Sequence, residues 1–215
     1  GKKPREPEKE LLTQFHMDIA ASVQAVTEEI VLKLTSSISQ ETKIKNLCMA
    51  GGVALNCVAN GKILKKNTFE NIWIQPAAGD AGGSLGAALA FWHQELGNNR
   101  KTVAILDDMK GSYLGPSFNE NEIENTLNNL GAKYDKLDEE NLINTVVNEL
   151  KNEKVIGWFQ GRMEFGPRAL GARSILADPR SEKMQKKLNL KVKFRESFRP
   201  FAPSVLREDV NDWFD

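Results

Sequence analysis

The sequence predicts a mixed α/β protein made of two domains. Its first half contains two successive stretches that read as strand, glycine-rich turn and helix, and its second half alternates short apolar runs with segments of helical period. The polar stretch 97–117 shows no long periodic run, so we predict domains over 1–107 and 108–215. With 215 residues, 40% of them apolar, the chain is long enough for one large or two small domains.

The first predicted element is a long amphipathic helix. Beyond a proline-containing tail, apolar side chains recur every three or four residues from Leu11 to Leu34, which is the period of a helix with one apolar stripe. Such a stripe has to be covered. We therefore expect the first half of the chain, taken alone, to expose apolar surface along this helix and to form a homodimer or borrow a neighbour's face.

A strand-turn-helix unit follows this helix. The apolar run 46–50 is broken by the diglycine 51–52 before helical composition resumes. A helix N-terminus that follows unobstructed glycine N–H groups can bind phosphate, because four backbone donors there have no partner within the helix. The alternative is a tight connection without a ligand. Cys48 and Cys57 flank the turn and are predicted to be small core residues.

The second strand-turn-helix unit has a carboxylate in its turn. The strand 71–75 leads into the small-residue loop 76–83, which contains Asp80, and a helix over 84–96 follows. Ligand groups in α/β folds lie at the carboxyl ends of strands, where a carboxylate can hold a metal or orient a phosphate-bound ion. The alternative for Asp80 is a helix cap.

The second half is predicted to hold shorter elements. Helices are expected over 122–130, 142–150 and 182–190, and strands over 132–137, 155–159, 174–177 and, as an edge or a site-lining loop, 201–206. The strand 155–159 leads into a stretch rich in arginine and glycine.

Positive charge is concentrated in one segment of a neutral chain. The whole chain has 29 Lys and Arg against 29 Asp and Glu, whereas residues 162–199 contain eleven against four. Clustered guanidinium groups repel one another, so a fold that collects them expects an anion between them, and phosphate suits that space. Three glycines would let bare backbone approach it: Gly161, Gly166 and Gly171. Four lysines have a simpler interpretation as a solvated helix face: Lys183, Lys186, Lys187 and Lys191.

Among the four acidic residues of this segment, Glu164 lies beside Arg162 in its most glycine-rich part. It could orient an arginine or act as a base, and orientation is the favoured role because guanidinium groups nearby should lower the pKa of a carboxyl group.

Composition excludes several classes of protein. No run approaches the roughly 20 apolar residues of a membrane helix, and the charged start lacks the apolar core of a signal peptide. The two cysteines are too few for a disulfide framework and lack metal-site spacing, so a reducing cytoplasm is the expected location. Zero net charge argues against a general nucleic-acid or membrane binder.

Four motifs together resemble the NodU/CmcH/TobZ-type carbamoyltransferase family. They read AGGVALN at 50–56, QPAAGDAGG at 75–83, GRMEFGPRALG at 161–171 and FRPFAP at 198–203. The resemblance runs over nearly all of the chain after the tail. It implies the C-terminal half of an actin-like (ASKHA) domain over 1–107, followed by a partial YrdC-like α/β domain over 108–215.

The resemblance also implies a two-step reaction. The YrdC-like part would use ATP and carbamoyl phosphate to make carbamoyl adenylate, releasing diphosphate and phosphate. The actin-like part would pass the carbamoyl group to a hydroxyl of a small acceptor beside an iron(II) ion. ATP and iron(II) are the implied cofactors, with Mg as a further candidate. Such chemistry relies on fixed cations and backbone donors, in keeping with the lack of a Ser-His-Asp set or a cysteine nucleophile.

The family's functional positions can be carried over to this chain by motif. Asp80 would be the carboxylate ligand of iron. The residues facing the nucleotide in the actin-like part would be Gly51, Gly52, Asn56 and Gly79. The contacts to carbamoyl phosphate and ATP would be Arg162, Arg168, Arg173, Lys193, Arg195 and Arg199.

The chain departs from the family in its histidines and its length. The family's other iron ligands are a pair of histidines four residues apart, but this chain has only His16 and His93, so its metal site would be incomplete. The first part is also short for an actin-like domain. We therefore expect a central piece of a longer enzyme that is inactive alone, with most of the acceptor pocket elsewhere.

Three other functions remain open at this stage. Synthesis of tRNA threonylcarbamoyladenosine by the same two domain types would depend on threonine and bicarbonate instead of carbamoyl phosphate. An RNA-binding module is disfavoured because few aromatic residues are interleaved with the basic ones. A sugar or acetate kinase of the actin-like superfamily is disfavoured by the arginine-rich second domain.

Overall fold

The computed structural model describes residues 2–6, 9–100 and 107–214. The chain divides into two compact units, Gly1–Asp108 with Phe165–Pro167, and Met109–Glu164 with Arg168–Asp215. Each unit contains helices and a two-stranded sheet, so the mixed α/β architecture is confirmed. Part of the connection predicted over 97–117 lies outside the described residues.

The first unit is built from three helices and a parallel strand pair. Its elements are α1 (Gln14–Thr42), β1 (Asn46–Met49), α2 (Cys57–Lys65), β2 (Asn71–Ile74) and α3 (Asp80–Ala90). A 3₁₀ turn over Gly52–Leu55 precedes α2, and a π-helical turn over Phe91–Glu95 extends α3. β1 and β2 pair in parallel, with Leu47 opposite Ile72. Because the strands are parallel, the turns that follow them leave the same edge of the sheet.

The long helix α1 is confirmed, and its apolar stripe is exposed as expected. The exposed side chains of this stripe are Phe15, Ile19, Val23, Val26, Ile30 and Leu34. A neighbouring face packs instead, with Val31 and Leu32 against a core of Leu47, Ile63 and Phe69. The buried Glu28 of α1 pairs with Lys62 of α2, and hydrogen bonds from Lys62 and Gln24 lower the pKa of its carboxyl group despite desolvation.

The second unit pairs its strands antiparallel. Its elements are α4 (Glu120–Asn129), α5 (Glu139–Lys151), β3 (Ile156–Phe159), β4 (Arg173–Leu176), α6 (Met184–Lys191) and α7 (Val210–Trp213). Ile156 lies opposite Leu176 in the register. α4 begins with a capping box between Asn119 and Glu122, and Asp138 caps α5, so both helices start where a side-chain acceptor precedes an acidic first turn.

Two predicted strands are wrong. The segment 132–137 has no regular structure, and Lys136 within it donates to Glu124 of α4 at 2.5 Å, so a side-chain contact holds it there without strand pairing. The segment 201–206 is also irregular. Pro200 and Pro203 have no N–H group to donate to a strand ladder.

The prediction that both cysteines belong to the core is also wrong, since Cys48 and Cys57 are exposed. Side chains alternate along a strand, and Leu47 takes the buried side of β1, which leaves Cys48 on the other side. Cys57 is the first residue of α2.

None of the helices in the described ranges is both long enough and apolar enough to cross a membrane.

Candidate functional site

The two glycine turns of the first unit are joined to each other. The N–H of Gly51 donates to the carbonyl of Ala78 at 2.7 Å, which ties the turn after β1 to the turn after β2. Gly51 has a φ of 98°, a left-handed conformation that favours glycine. A Cβ at Gly82 would lie 2.1 Å from the carbonyl oxygen of Ala77, so no side chain fits there. The edge of this sheet therefore requires glycine for its geometry.

Gly166 also belongs to the first unit and has a comparable constraint. Its φ is 136°, and a Cβ would lie 2.8 Å from the carbonyl oxygen of Pro76. Within the first unit, the backbone of Gly166 thus lies close to the loop after β2.

The side chain of Asn56 makes three hydrogen bonds within the protein. Its carbonyl oxygen accepts from the N–H of Ala59 at 3.2 Å and so caps α2. It also exchanges a reciprocal pair of hydrogen bonds with the amide of Gln24, at 2.9 and 3.2 Å. Asn56 therefore fixes the start of α2 against α1.

Asp80 is the first residue of α3 and is exposed, and Gly79 is the residue that precedes the helix. The helix thus begins four residues earlier than the sequence predicts. His16 accepts from the N–H of Thr13 at the start of α1, and Nδ1 of His93 lies 2.8 Å from the carbonyl of Asn98. Across residues 2–6, 9–100 and 107–214, no three His, Cys, Asp or Glu side chains group in a way that could hold a metal ion. Asp80 alone does not make an iron site.

In the second unit, the buried carboxylate of Glu164 organises the backbone that follows it. One of its oxygens accepts from the N–H groups of Leu170 at 2.7 Å, Ala172 at 2.8 Å and Arg173 at 3.4 Å. Burial raises the pKa of this carboxyl group, but the backbone hydrogen bonds outweigh burial and the pKa is lowered. The expected partner was an arginine side chain, and the observed partners are main-chain amides.

Arg173 and Arg162 use their guanidinium groups to bind carbonyl oxygens. Arg173 lies 3.3 Å over the ring of Phe159 and donates to the carbonyls of Gln160, Gly161 and Ala172 at 2.8 to 3.2 Å. Arg162 donates to the carbonyl of Gly115 at 2.6 Å. Both arginines thus hold the backbone of their own unit.

A strained turn lies beside this stretch. Three successive residues, Lys110, Gly111 and Ser112, have φ values of 48°, 63° and 74°, and such conformations are costly for residues other than glycine. The next residue, Tyr113, donates its hydroxyl to the carbonyl of Leu170 at 2.6 Å. Leu170 is therefore held on its N–H side by Glu164 and on its carbonyl side by Tyr113.

The second basic loop, 193–203, is organised by a buried amide. Asn189 of α6 is 0% exposed. Its oxygen accepts from Nε of Arg195 at 2.6 Å, and its nitrogen donates to the carbonyls of Ser197 at 3.1 Å and Arg199 at 2.8 Å. The guanidinium of Arg195 also lies 4.9 Å from the ring centre of Phe201. This single side chain shapes the loop and orients one of its cations.

The six predicted anion-binding residues therefore fall into two groups. Arg162, Arg173 and Arg195 bind backbone or side-chain oxygens, and Arg199 lies 3.7 Å from a carboxylate oxygen of Glu196. The other two, Arg168 and Lys193, are exposed and make no side-chain hydrogen bond or ion pair within the described part of the chain.

Sequence reasoning missed the residues that shape these loops. Asn189 follows Leu188 on a short helix, and a polar residue beside an apolar one gives a weak signal of burial at best. Nothing in the sequence indicates that Tyr113 binds Leu170, since 57 positions separate them.

Two family models match the chain, and together they cover most of it. The model described as Carbamoyltransferase N-terminus matches residues 2–89, and the model described as Carbamoyltransferase C-terminus matches residues 147–215. The protein is thus a member of the carbamoyltransferase family, of the NodU type.

Several curated proteins are similar to this chain over nearly its whole length. An uncharacterized protein of Synechocystis is 58% identical over 99% of this chain and 35% of its own length. Nodulation protein NolO of Bradyrhizobium diazoefficiens is 45% identical over 94% of this chain and 36% of its own length. Nodulation protein NolNO of Sinorhizobium fredii is 44% identical over 94% of this chain and 29% of its own length. The chain thus spans about a third of the length of these curated relatives.

Proposed function

We propose that this chain is the part of an ATP-dependent O-carbamoyltransferase that binds carbamoyl phosphate and ATP. Its family membership supports a transferase of the carbamoyl group. The observation that carries the rest is the pair of basic loops. Each is held by one buried polar side chain, Glu164 or Asn189, and each bears one cation that has no partner in the described part of the chain. Exposed cations that are carried by held loops and have no acceptor among the described residues suit a phosphorylated ligand.

Carbamoyl adenylate is the intermediate that we propose for the second unit. Water would hydrolyse carbamoyl phosphate to carbamate and phosphate, and a carbamate oxygen would then attack the α-phosphorus of ATP and displace diphosphate. Both steps move negative charge among phosphate oxygens, so preorganised cations can stabilise the transition state without covalent help from the protein. Arg168 and Lys193 are the candidates for this role, while Arg162, Arg173 and Arg195 would hold the loops that carry them.

In the first unit we propose the C-terminal half of an actin-like (ASKHA) domain, with the second unit as part of a YrdC-like domain. The nucleotide would approach the turns that contain Gly51, Gly52 and Gly79, where the missing side chains leave open space beside the backbone. Asn56 would contribute by fixing α2 at that edge. Transfer to a hydroxyl of a small acceptor would follow there.

Asp80 is the one residue that we propose as a ligand of an iron(II) ion in the first unit. Iron would supply a Lewis acid near the transferred group, but the described residues offer a single exposed carboxylate for it. The remaining ligands would have to come from residues outside this chain, so we derive no step through the metal.

Substitution of Arg168 tests the proposal in the complete protein that carries this chain. Arg168→Ala is expected to reduce the carbamoyl-phosphate-dependent release of diphosphate from ATP by about 100-fold, because removal of one fixed charge-stabilising group typically has that effect. Lys186→Ala is the matched control, since Lys186 is an exposed cation on α6, and its activity should stay within about twofold. Equal activity of Arg168→Ala and Lys186→Ala would contradict the proposal.

A further inference from the structure

We propose that Glu164 is a positioning residue for the anion: its buried carboxylate holds the backbone of 170–173 so that Arg168, and not the backbone, is presented to the ligand. This inference rests on the proposed function.

The backbone N–H groups of residues 170–173 are not free to bind a ligand. Four successive N–H groups, those of residues 170–173, are all occupied. Leu170, Ala172 and Arg173 donate to Glu164, and Gly171 donates to the hydroxyl oxygen of Ser174 at 3.1 Å. A run of N–H groups is the usual backbone site for a phosphate. Here a carboxylate and a hydroxyl of the protein itself take that place, so these amides are not available to a ligand.

The side chain of Arg168 is free to bind a ligand in place of these amides. Arg168 lies two residues before Leu170, whose N–H and carbonyl are both held, by Glu164 and by Tyr113. The guanidinium of Arg168 is exposed and has no partner among the described residues. A planar guanidinium with all its donors unused can bind two phosphate oxygens at once. Recognition would thus depend on the side chain of Arg168, and the backbone two residues further along the chain is held by the buried carboxylate of Glu164.

Glu164 itself is not placed to bind the ligand. Its side chain is 7% exposed and its accepting oxygen already has three donors. A carboxylate in that position is shielded from a ligand and would repel a phosphate. It acts on the ligand only through the conformation of the segment it holds.

The experiment uses the complete protein that carries this chain, with two readouts. Variants Glu164→Ala and Glu164→Gln are compared with Glu182→Ala, an exposed carboxylate of the same unit. Hydrogen exchange with mass spectrometry measures the amides of 170–173, and calorimetry measures the dissociation constant for carbamoyl phosphate, at a temperature where circular dichroism shows every variant folded.

For Glu164→Ala we expect exchange at 170–173 to rise about tenfold and affinity for carbamoyl phosphate to fall about tenfold, as expected when charge-assisted hydrogen bonds are lost. Glu164→Gln keeps an accepting oxygen. Its exchange rate at 170–173 and its affinity for carbamoyl phosphate should therefore lie closer to the wild-type values than those of Glu164→Ala. Glu182→Ala should change neither by more than about twofold. If Glu164→Ala does not fold, Glu164→Gln alone should still show an increase in both readouts.

The outcomes separate this inference from the proposed function. If the Glu164 variants exchange faster at 170–173 but bind carbamoyl phosphate with unchanged affinity, Glu164 does not position the anion-binding residue. If exchange at 170–173 is unchanged, Glu164 does not hold that segment. A wild-type protein that does not bind carbamoyl phosphate would overturn the proposed function, and the positioning role with it, whatever the exchange data show.

Discussion

Two residues of the second unit, Glu164 and Asn189, each hold a basic loop, and they do so with opposite chemistry. In the first loop, 161–173, the buried carboxylate of Glu164 gathers N–H groups. In the second loop, 193–203, the buried amide of Asn189 gathers carbonyl groups and one guanidinium. A single polar side chain can thus replace regular secondary structure as the partner of loop backbone. The choice between a charged and a neutral residue determines how each loop responds to pH.

Each loop also contains two kinds of cation, those bound to oxygen atoms of the protein and one that is exposed. In each, arginines are bound to protein oxygens, Arg162 and Arg173 in the first loop and Arg195 in the second. In each, one cation is exposed and unpaired within the described residues, Arg168 and Lys193 respectively. A cluster of positive charge in a sequence therefore contains both structural cations and cations that a ligand can reach, and only the contacts distinguish them.

Removal of the buried amide should have the largest effect on stability. Asn189→Leu would leave the carbonyls of Ser197 and Arg199 without their donor, and we expect the free energy of unfolding to fall by about 2–4 kcal/mol. Urea unfolding followed by circular dichroism measures it. Gln185→Leu is the control, because exposed Gln185 donates to the carbonyls of Phe198 and Arg199 at a longer 3.2 Å, and should cost under about 1 kcal/mol. Equal losses would show that the two amides are equivalent.

A smaller effect is expected from the structural arginine of the first loop. Arg173→Lys would lose the stacking on Phe159 and most of the hydrogen bonds to three carbonyls, because an ammonium group cannot reproduce a planar guanidinium. We expect a loss of about 1–2 kcal/mol in unfolding free energy. Arg168→Lys should leave stability unchanged in the same measurement, since Arg168 makes no side-chain hydrogen bond or ion pair with the described residues. A destabilised Arg168→Lys would mean that Arg168 also supports the loop.

The smallest effect concerns pH and distinguishes the loops most directly. The folded-state pKa of Glu164 is lowered, so its stabilising contribution is present above the unfolded-state pKa and is lost as pH falls through the folded-state pKa. Unfolding free energy measured from neutral to acid pH should therefore decline less steeply for Glu164→Gln than for wild type. Asn189→Leu should keep the wild-type slope, because the amide does not titrate.

Asp178 provides a second reference for that titration. Hydrogen bonds from Arg180 lower its pKa to about 2, so its contribution is lost only as pH falls toward that value. Asp178→Asn should accordingly differ from wild type in the most acidic part of the range. A slope of Glu164→Gln identical to wild type would show that the Glu164 carboxylate adds nothing to the pH dependence.

The sequence predicted the parts of this fold that depend on local pattern. The helical period located α1 and α5, and the glycines marked both turns after the parallel strands. The exposed stripe of α1 also followed from its period, although the packed face of that helix is carried by Val31 and Leu32.

The parts that failed depend on contacts distant in sequence. Glu164 was expected to orient an arginine, whereas its partners are amides six to nine residues away. The exposure of Cys48 follows from strand alternation and not from its apolar surroundings. The roles of Arg173 and Asn189 depend on which carbonyls the chain brings near them, and residue type does not determine that.

The full occupation of the four amides at 170–173 has an evolutionary consequence. Because Glu164 and Ser174 accept from these amides, the loop has its shape without a ligand, and within the described residues no side-chain hydrogen bond of Arg168 contributes to that shape. If Arg168 binds the anion as proposed, a change at this one position would alter the ligand that is selected while the surrounding architecture is kept.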